Sequence, residues 1–93
     1  MAETAVHVVI SGRVQGVWYR GWTLKQATAL DLSGWVRNRR EGTVEAVFQG
    51  EASAVADMLA RCRQGPPAAK VTDVQSREME PEVFGGFRQS PTV

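Results

Sequence analysis

Nine residues near the N-terminus, 12–20, combine glycine, amide and arginine in a pattern that suits anion binding: GRVQGVWYR. They lie between an alternating apolar segment and a segment with helical spacing. Their backbone N–H groups can therefore converge on one point, next to the unpaired N–H groups of a helix N-terminus. Gly16 permits the backbone conformation that such a loop requires, and Arg20 adds a planar cation suited to phosphate oxygens. The segment predicts an anion site, although a plain strand-to-helix turn would fit the same residues.

A second segment, residues 34–38, ends in an asparagine beside a predicted hairpin. The amide of Asn38 offers donors and an acceptor without charge. It could orient a water molecule without repelling a bound anion. Taken alone, an asparagine at this place is more often a turn residue.

The elements that would position these residues follow from hydrophobic spacing, which alternates in strands and recurs every three to four residues in helices. The predicted order begins with a strand over residues 6–10, a loop over 12–21 and a helix ending near 31–34. Two strands follow at 35–38 and 44–49, joined by a hairpin at 39–42. The rest of the chain is a helix through 55–62 stopped at 65–67, a strand at 71–79 and a short strand at 87–90.

This β-α-β-β-α-β order is that of a ferredoxin-like α+β sandwich. We expect an antiparallel sheet with two helices on one face, in a single domain over residues 1–93. The strands on either side of the hairpin should be antiparallel neighbours, with Gly42 able to adopt positive φ. The last strand is more polar than we would expect for such a sheet.

The two segments together resemble the two signatures of the acylphosphatase family. The first is Gly-x-Val-Gln-Gly-Val-x-Tyr-Arg at residues 12–20; the second is Gly-Trp-Val-Arg-Asn-x-x-x-Gly-x-Val at residues 34–44, closing at Gly50. The resemblance covers essentially the whole chain. It implies hydrolysis of acyl phosphates, the mixed anhydrides of a carboxylic acid and phosphate. It implies that Arg20 binds the phosphate, that Asn38 positions the attacking water, and that the loop backbone binds the substrate through Gln15, Gly16, Val17, Trp18, Tyr19 and Arg20.

This division of roles is chemically reasonable. A carboxylate is a good leaving group, so the task is mainly to place water in line and to stabilise the phosphoryl oxygens. We expect neither a metal nor a cofactor, and the two motifs contain no cluster of Asp, Glu or His. One hypothesis is that the substrate phosphate itself accepts the proton of the water.

Composition excludes several other classes of protein. The net charge of +1 gives no basic field for nucleic acid, and no apolar run approaches the length of a membrane span. The single cysteine, Cys62, excludes an intramolecular disulfide. We expect a cytoplasmic monomer whose partners are a small acyl phosphate and inorganic phosphate.

The remaining reactive or aromatic residues have plainer interpretations. We expect His7 to be a histidine on a sheet face and Cys62 to be a small buried hydrophobic residue. The basic group formed by Arg37, Arg39 and Arg40 is either a solvated hairpin or an attractor of anionic substrates. Trp18 and Tyr19 either contact substrate or pack in the core, while the other two tryptophans, Trp22 and Trp35, should be structural.

The sequence leaves three alternatives to a free-standing enzyme. The same fold builds RNA-binding domains, but the third strand lacks an aromatic pair on an exposed face. It also builds small-ligand regulatory modules, which the fold alone does not exclude. The family resemblance further allows an acylphosphatase-like domain within a larger enzyme, as in hydrogenase-maturation proteins.

Overall fold

The computed structural model describes residues 3–93, which form one sheet covered by two helices. The elements are β1 (Glu3–Arg13), α1 (Tyr19–Ala29), β2 (Ser33–Asn38), β3 (Val44–Glu51), α2 (Ala52–Gln64), β4 (Lys70–Met79) and β5 (Phe87–Gln89). This confirms the predicted order of elements, including the short last strand. None of the helices in this part of the chain is long and apolar enough to cross a membrane.

The strands lie in the order β4-β1-β3-β2-β5. The four longer strands pair antiparallel, as predicted, but β5 runs parallel to β2. The sheet is therefore mixed, and an antiparallel description holds only for β1 to β4. The parallel pairing arises because the segment after β4 crosses the sheet before β5 begins.

Both helices pack on the same face of the sheet and enclose the core. In register, Val6 lies opposite Phe48 and Val8 opposite Ala46, so their side chains share that face. Burying a valine or phenylalanine side chain here contributes about 1.5–3 kcal/mol. The main helical side chains in this core are Tyr19, Ala27, Val55, Met58 and Cys62.

The first strand is longer than predicted, because Gly12 forms a β-bulge instead of opening the loop. The register between β1 and β4 shifts between Ser11 and Gly12, where Gly12 has φ 116°. Pairing then continues to Arg13 opposite Lys70. The bulge lets the strand bend without ending, so the loop contains only residues 14–18.

The end of α1, predicted near residues 31–34, is set by Asp31. Asp31 is in the left-handed conformation, with φ 59°. The N–H of Leu32 donates to the carbonyl of Ala27, and that of Asp31 donates to Thr28. These two bonds form a Schellman motif, with aspartate in place of the usual glycine.

Candidate active site

The loop that joins β1 to α1 contains two residues in the left-handed region. Gly16 has φ 73° and Trp18 has φ 66°. Glycine adopts this conformation freely, whereas for tryptophan it costs about 1–2 kcal/mol. Strain of this kind persists where the surrounding structure enforces it, often at functional sites. The sequence indicated the conformation of Gly16 but gave no sign of that of Trp18.

The donors of this loop are available to a ligand. Within residues 3–93, none of the backbone N–H groups from Gln15 to Arg20 donates to a backbone carbonyl. Trp18 is the N-cap residue of α1, yet its side chain makes no capping hydrogen bond, and the first turn contains no acidic residue. The positive end of the helix dipole is thus left for an anion.

A pocket of about 160 Å³ brings the two motifs together. It joins the loop and first turn of α1 to the end of β2, and no carboxylate lines it. A larger hollow of about 430 Å³ lies elsewhere, but Glu3, Glu78 and Glu80 line it and would repel an anion. The lining residues of the smaller pocket are Val14, Gly16, Trp18, Tyr19, Arg20, Gly21, Asn38 and Gln89.

Asn38 lines this pocket and carries an unpaired side-chain acceptor. Its side-chain oxygen Oδ1 is buried and has no hydrogen-bond partner within residues 3–93. An unpaired buried polar atom costs about 1–3 kcal/mol, so the site favours a molecule that donates a hydrogen bond to it. The backbone of Asn38 is fixed by pairing with Val44 and by a bond from the N–H of Val93 to its carbonyl.

Arg20 lies in the first turn of α1 and is half-buried. No carboxylate among residues 3–93 lies within 4.0 Å of its guanidinium. Its five donors are therefore free of an internal ion pair. The structure places Arg20 and Asn38 on the walls of the same pocket, as the two motifs together predicted.

The other loop side chains point in different directions. The Gln15 amide donates to the β2–β3 hairpin, and neither Gln15 nor Val17 lines the pocket. Val17 packs against the core. Tyr19 is fully buried, and its hydroxyl donates to the carbonyl of Cys62 at 2.7 Å. Substrate binding by these residues therefore stays a prediction about their backbone N–H groups.

Trp18 does not pack in the core, since its side chain is 61% exposed. The indole lies over Gly21, where a Cβ atom would overlap it. Lys25 places its ammonium 5.9 Å from the centroid of the Trp18 ring, within cation–π range. The first turn of α1 therefore carries an exposed aromatic surface at the rim of the pocket.

The basic group at the hairpin does not act as one unit. Arg37 donates to Glu45 at 2.8 Å and stacks on Trp35, on the face of the sheet away from the helices. His7 lies 2.6 Å from the same carboxylate. Burial alone would raise the pKa of Glu45, but the hydrogen bonds from His7 and Arg37 outweigh burial and hold that pKa below its usual value.

The two other arginines of this group stay near the hairpin. Arg39 lies 3.5 Å from Glu41 and Arg40 is exposed. The solvated interpretation fits these two residues.

Cys62, Trp22 and Trp35 have the structural roles that were predicted. Cys62 is fully buried, and burial raises the pKa of its thiol to about 12. Trp22 packs on Tyr19 with ring centroids 5.3 Å apart. Across residues 3–93, no group of three His, Cys, Asp or Glu side chains is arranged to hold a metal ion.

Gln89 is a pocket residue that neither motif includes. It lies on β5, opposite Val36 of β2, and also lines the pocket. Only the pairing of β5 with β2 brings it there. No sequence signal identified that pairing, so Gln89 was not predicted as a site residue.

Comparisons with known proteins agree with one another. The family model described as Acylphosphatase matches residues 6–89. An acylphosphatase of Rhodospirillum rubrum is 54% identical over 92% of this chain and 94% of its own length. An acylphosphatase structure from Coxiella burnetii superposes with a TM-score of 0.92 at 40% identity, covering 95% of this chain and 93% of the other.

The fold also occurs inside a larger protein. A full-length HypF structure, in its phosphate- and nucleotide-bound form, matches with a TM-score of 0.90 at 25% identity. The match covers 98% of this chain but only 12% of the HypF chain.

Proposed function

The chain belongs to the acylphosphatase family, whose members hydrolyse the carboxyl–phosphate bond of acyl phosphates, and we propose that Arg20 and Asn38 divide this reaction between them. Arg20 and the backbone N–H groups of residues 15–20 hold the phosphoryl group. Asn38 orients the water that attacks phosphorus. The carboxylate then leaves with the electrons of the P–O bond, and the proton of the attacking water passes to a phosphate oxygen.

The unpaired Oδ1 of Asn38 is the observation that carries this proposal. A carbonyl oxygen accepts a hydrogen bond from water and leaves the oxygen lone pair of the water free to attack. Being neutral, the amide adds no repulsion to a phosphate held in the same pocket, as a carboxylate would. The pairing of its backbone with β3 limits its motion, which favours an in-line geometry.

Arg20 and the loop act on charge rather than on the proton. Its planar guanidinium can donate two parallel hydrogen bonds to phosphate oxygens. The unpaired N–H groups at the start of α1 add donors that are already oriented. Preoriented donors of this kind each contribute about 10²–10³ to the rate. Because a carboxylate needs no strong acid to leave, these residues suffice, and we propose that no metal takes part.

Steady-state hydrolysis of a synthetic acyl phosphate tests the proposal. Arg20→Ala and Asn38→Ala should each lower kcat/KM by about 10²-fold or more while remaining folded. Arg37→Ala is the matched control, because Arg37 neighbours Asn38 in sequence but contacts Glu45 on the other sheet face. Wild-type rates in either pocket variant would overturn the assignment.

The same assay addresses the proposed independence of metal. Excess chelator should leave the wild-type rate unchanged, and a large loss of activity that added metal restores would contradict the proposed independence of metal.

We further propose that the enzyme is a monomer acting in the cytoplasm. Its single cysteine is buried, which disfavours an intermolecular disulfide. Size-exclusion chromatography with light scattering would test the monomer, and a fluorescent fusion the location.

A further inference from the structure

Gln15 connects the two halves of the pocket through its side chain. Its Nε2 donates to the carbonyl of Arg39 at 2.7 Å and to that of Thr43 at 2.8 Å. Both hydrogens of the amide nitrogen are therefore used within one contact. Gln15 precedes the pocket residue Gly16, and Arg39 follows the pocket residue Asn38. The contact is one residue away from each wall of the site.

The two carbonyls that accept these bonds are those that close the hairpin. The N–H of Arg39 donates to Thr43 at 2.9 Å, and the N–H of Gly42 donates to Arg39 at 3.0 Å. The Gln15 amide adds a second donor to each carbonyl, so it holds both sides of the turn at once. A shift of the loop relative to the hairpin would break both bonds together.

The loop has few other fixed points. Its backbone N–H groups lack backbone partners within residues 3–93, and Gly16 is exposed. Val14 and Val17 anchor it by apolar contacts, which tolerate small displacements better than hydrogen bonds do. The distance between the loop and Asn38 therefore depends on the Gln15 amide.

On this basis, and resting on the proposed roles of Arg20 and Asn38, we propose that Gln15 is a positioning residue. It holds the phosphate-binding loop against the hairpin, so that water on Asn38 lies in line with the bound phosphorus. It does not touch the substrate with its side chain. Losing it leaves the donors of the loop in place but displaces the water, and a displacement of about 1 Å can cost about 10²-fold in rate.

Gln15→Met tests this, because methionine keeps the length of the side chain and removes both donors. We expect kcat to fall by about 10–100-fold. The inhibition constant of inorganic phosphate should change by less than about threefold, since the loop keeps its own donors. Gln15→Lys supplies donors for both carbonyls again and should restore kcat to within about threefold of wild type.

Gln49→Met is the matched control. The Gln49 amide also bridges two segments, donating to the carbonyl of Glu82 at 2.6 Å and accepting from its N–H at 2.9 Å. It lies at the other end of β3 from the hairpin. This variant should lose stability and keep kcat.

Three results would overturn the proposal: wild-type kcat in folded Gln15→Met, equal losses in the Gln15 and Gln49 variants, or no recovery in Gln15→Lys. If Gln15→Met does not fold, Gln15→Asn tests the positioning role instead. Its shorter side chain does not reach both carbonyls, so this variant should have a lower kcat. Wild-type kcat in Gln15→Asn would refute the role. Activity in Arg20→Ala and Asn38→Ala would instead refute the proposed function itself.

Discussion

Replacing Tyr19 by phenylalanine should lower the stability of the fold and leave catalysis intact, although Tyr19 lies inside the first motif. Its ring is 1% exposed, and its hydroxyl donates to the carbonyl of Cys62 at 2.7 Å. In an α-helix this carbonyl would accept from the residue four positions later. That residue is Pro66, which has no N–H. The Tyr19 hydroxyl therefore supplies a hydrogen bond that the end of α2 lacks.

The size of the effect follows from this geometry. Tyr19→Phe leaves the Cys62 carbonyl unpaired in the core, which costs about 1–3 kcal/mol. For a domain of this size, each kcal/mol of lost stability lowers the midpoint of thermal unfolding by about 4–8 °C. This midpoint should therefore fall by about 4–24 °C. Burial raises the pKa of Tyr19 far above its usual value, so the hydroxyl stays protonated and does not serve as a base. We expect kcat to stay within about twofold of wild type.

Thermal unfolding followed by circular dichroism measures the midpoint, and kcat is measured well below it. Thr23→Val is the control, because the Thr23 hydroxyl is also buried on α1 but has no partner within residues 3–93. Removing it should leave the midpoint unchanged or raise it. A Tyr19→Phe variant that melts like wild type but loses kcat more than about tenfold would refute the reasoning, since the hydroxyl would then belong to the chemistry.

Two further predictions concern the sheet. At Gly34, with φ 131°, a Cβ would overlap the carbonyl oxygen of Val47, so Gly34→Ala should lower the free energy of unfolding by more than about 3 kcal/mol. Gly42, with φ 109°, faces open space, so Gly42→Ala should cost only about 1–2 kcal/mol; equal losses in urea unfolding would contradict this. The lowered pKa of Glu45, where the bonds from His7 and Arg37 outweigh burial, gives stability that is present at neutral pH and lost as pH falls through that pKa. Below about pH 4.3, the urea midpoint should therefore fall less steeply with decreasing pH in Glu45→Gln than in wild type. Equal slopes of midpoint against pH in the two proteins would argue against this ion pair.

The location of the candidate site was predictable because it depends on residue types with specific chemistry, a planar cation at a helix start and a neutral amide at a strand end. Arg20 and Asn38 belong to two motifs whose separation fits a single pocket, and the structure places both there. The alternation in β1 and the spacing in α2 also predicted a strand and a helix at the right places, since one face of each must meet the core. For these elements the local pattern and the tertiary structure agree.

What the sequence did not predict depends on distant contacts or on backbone strain. Tryptophan carries no preference for positive φ, so the conformation of Trp18 follows from its surroundings and not from its type. Gly12 is typical of a loop, yet β4 continues to pair beside it. β3 was expected to bury one face, but Glu45 and Gln49 are buried too, because other chain segments bind them on the second face. The place of Gln89 depends on the crossing segment before β5.

Binding of inorganic phosphate to the Arg20→Ala and Asn38→Ala variants, measured by isothermal titration calorimetry, tests the division of roles most directly. Loss of charge-assisted hydrogen bonds of about 1.5–3 kcal/mol should weaken phosphate binding to Arg20→Ala by about 10–150-fold. Asn38→Ala should bind phosphate within about threefold of wild type while its kcat falls by about 10²-fold or more. If Asn38→Ala loses phosphate affinity as strongly as Arg20→Ala, Asn38 holds the phosphate rather than the water, and the proposed division of roles is contradicted.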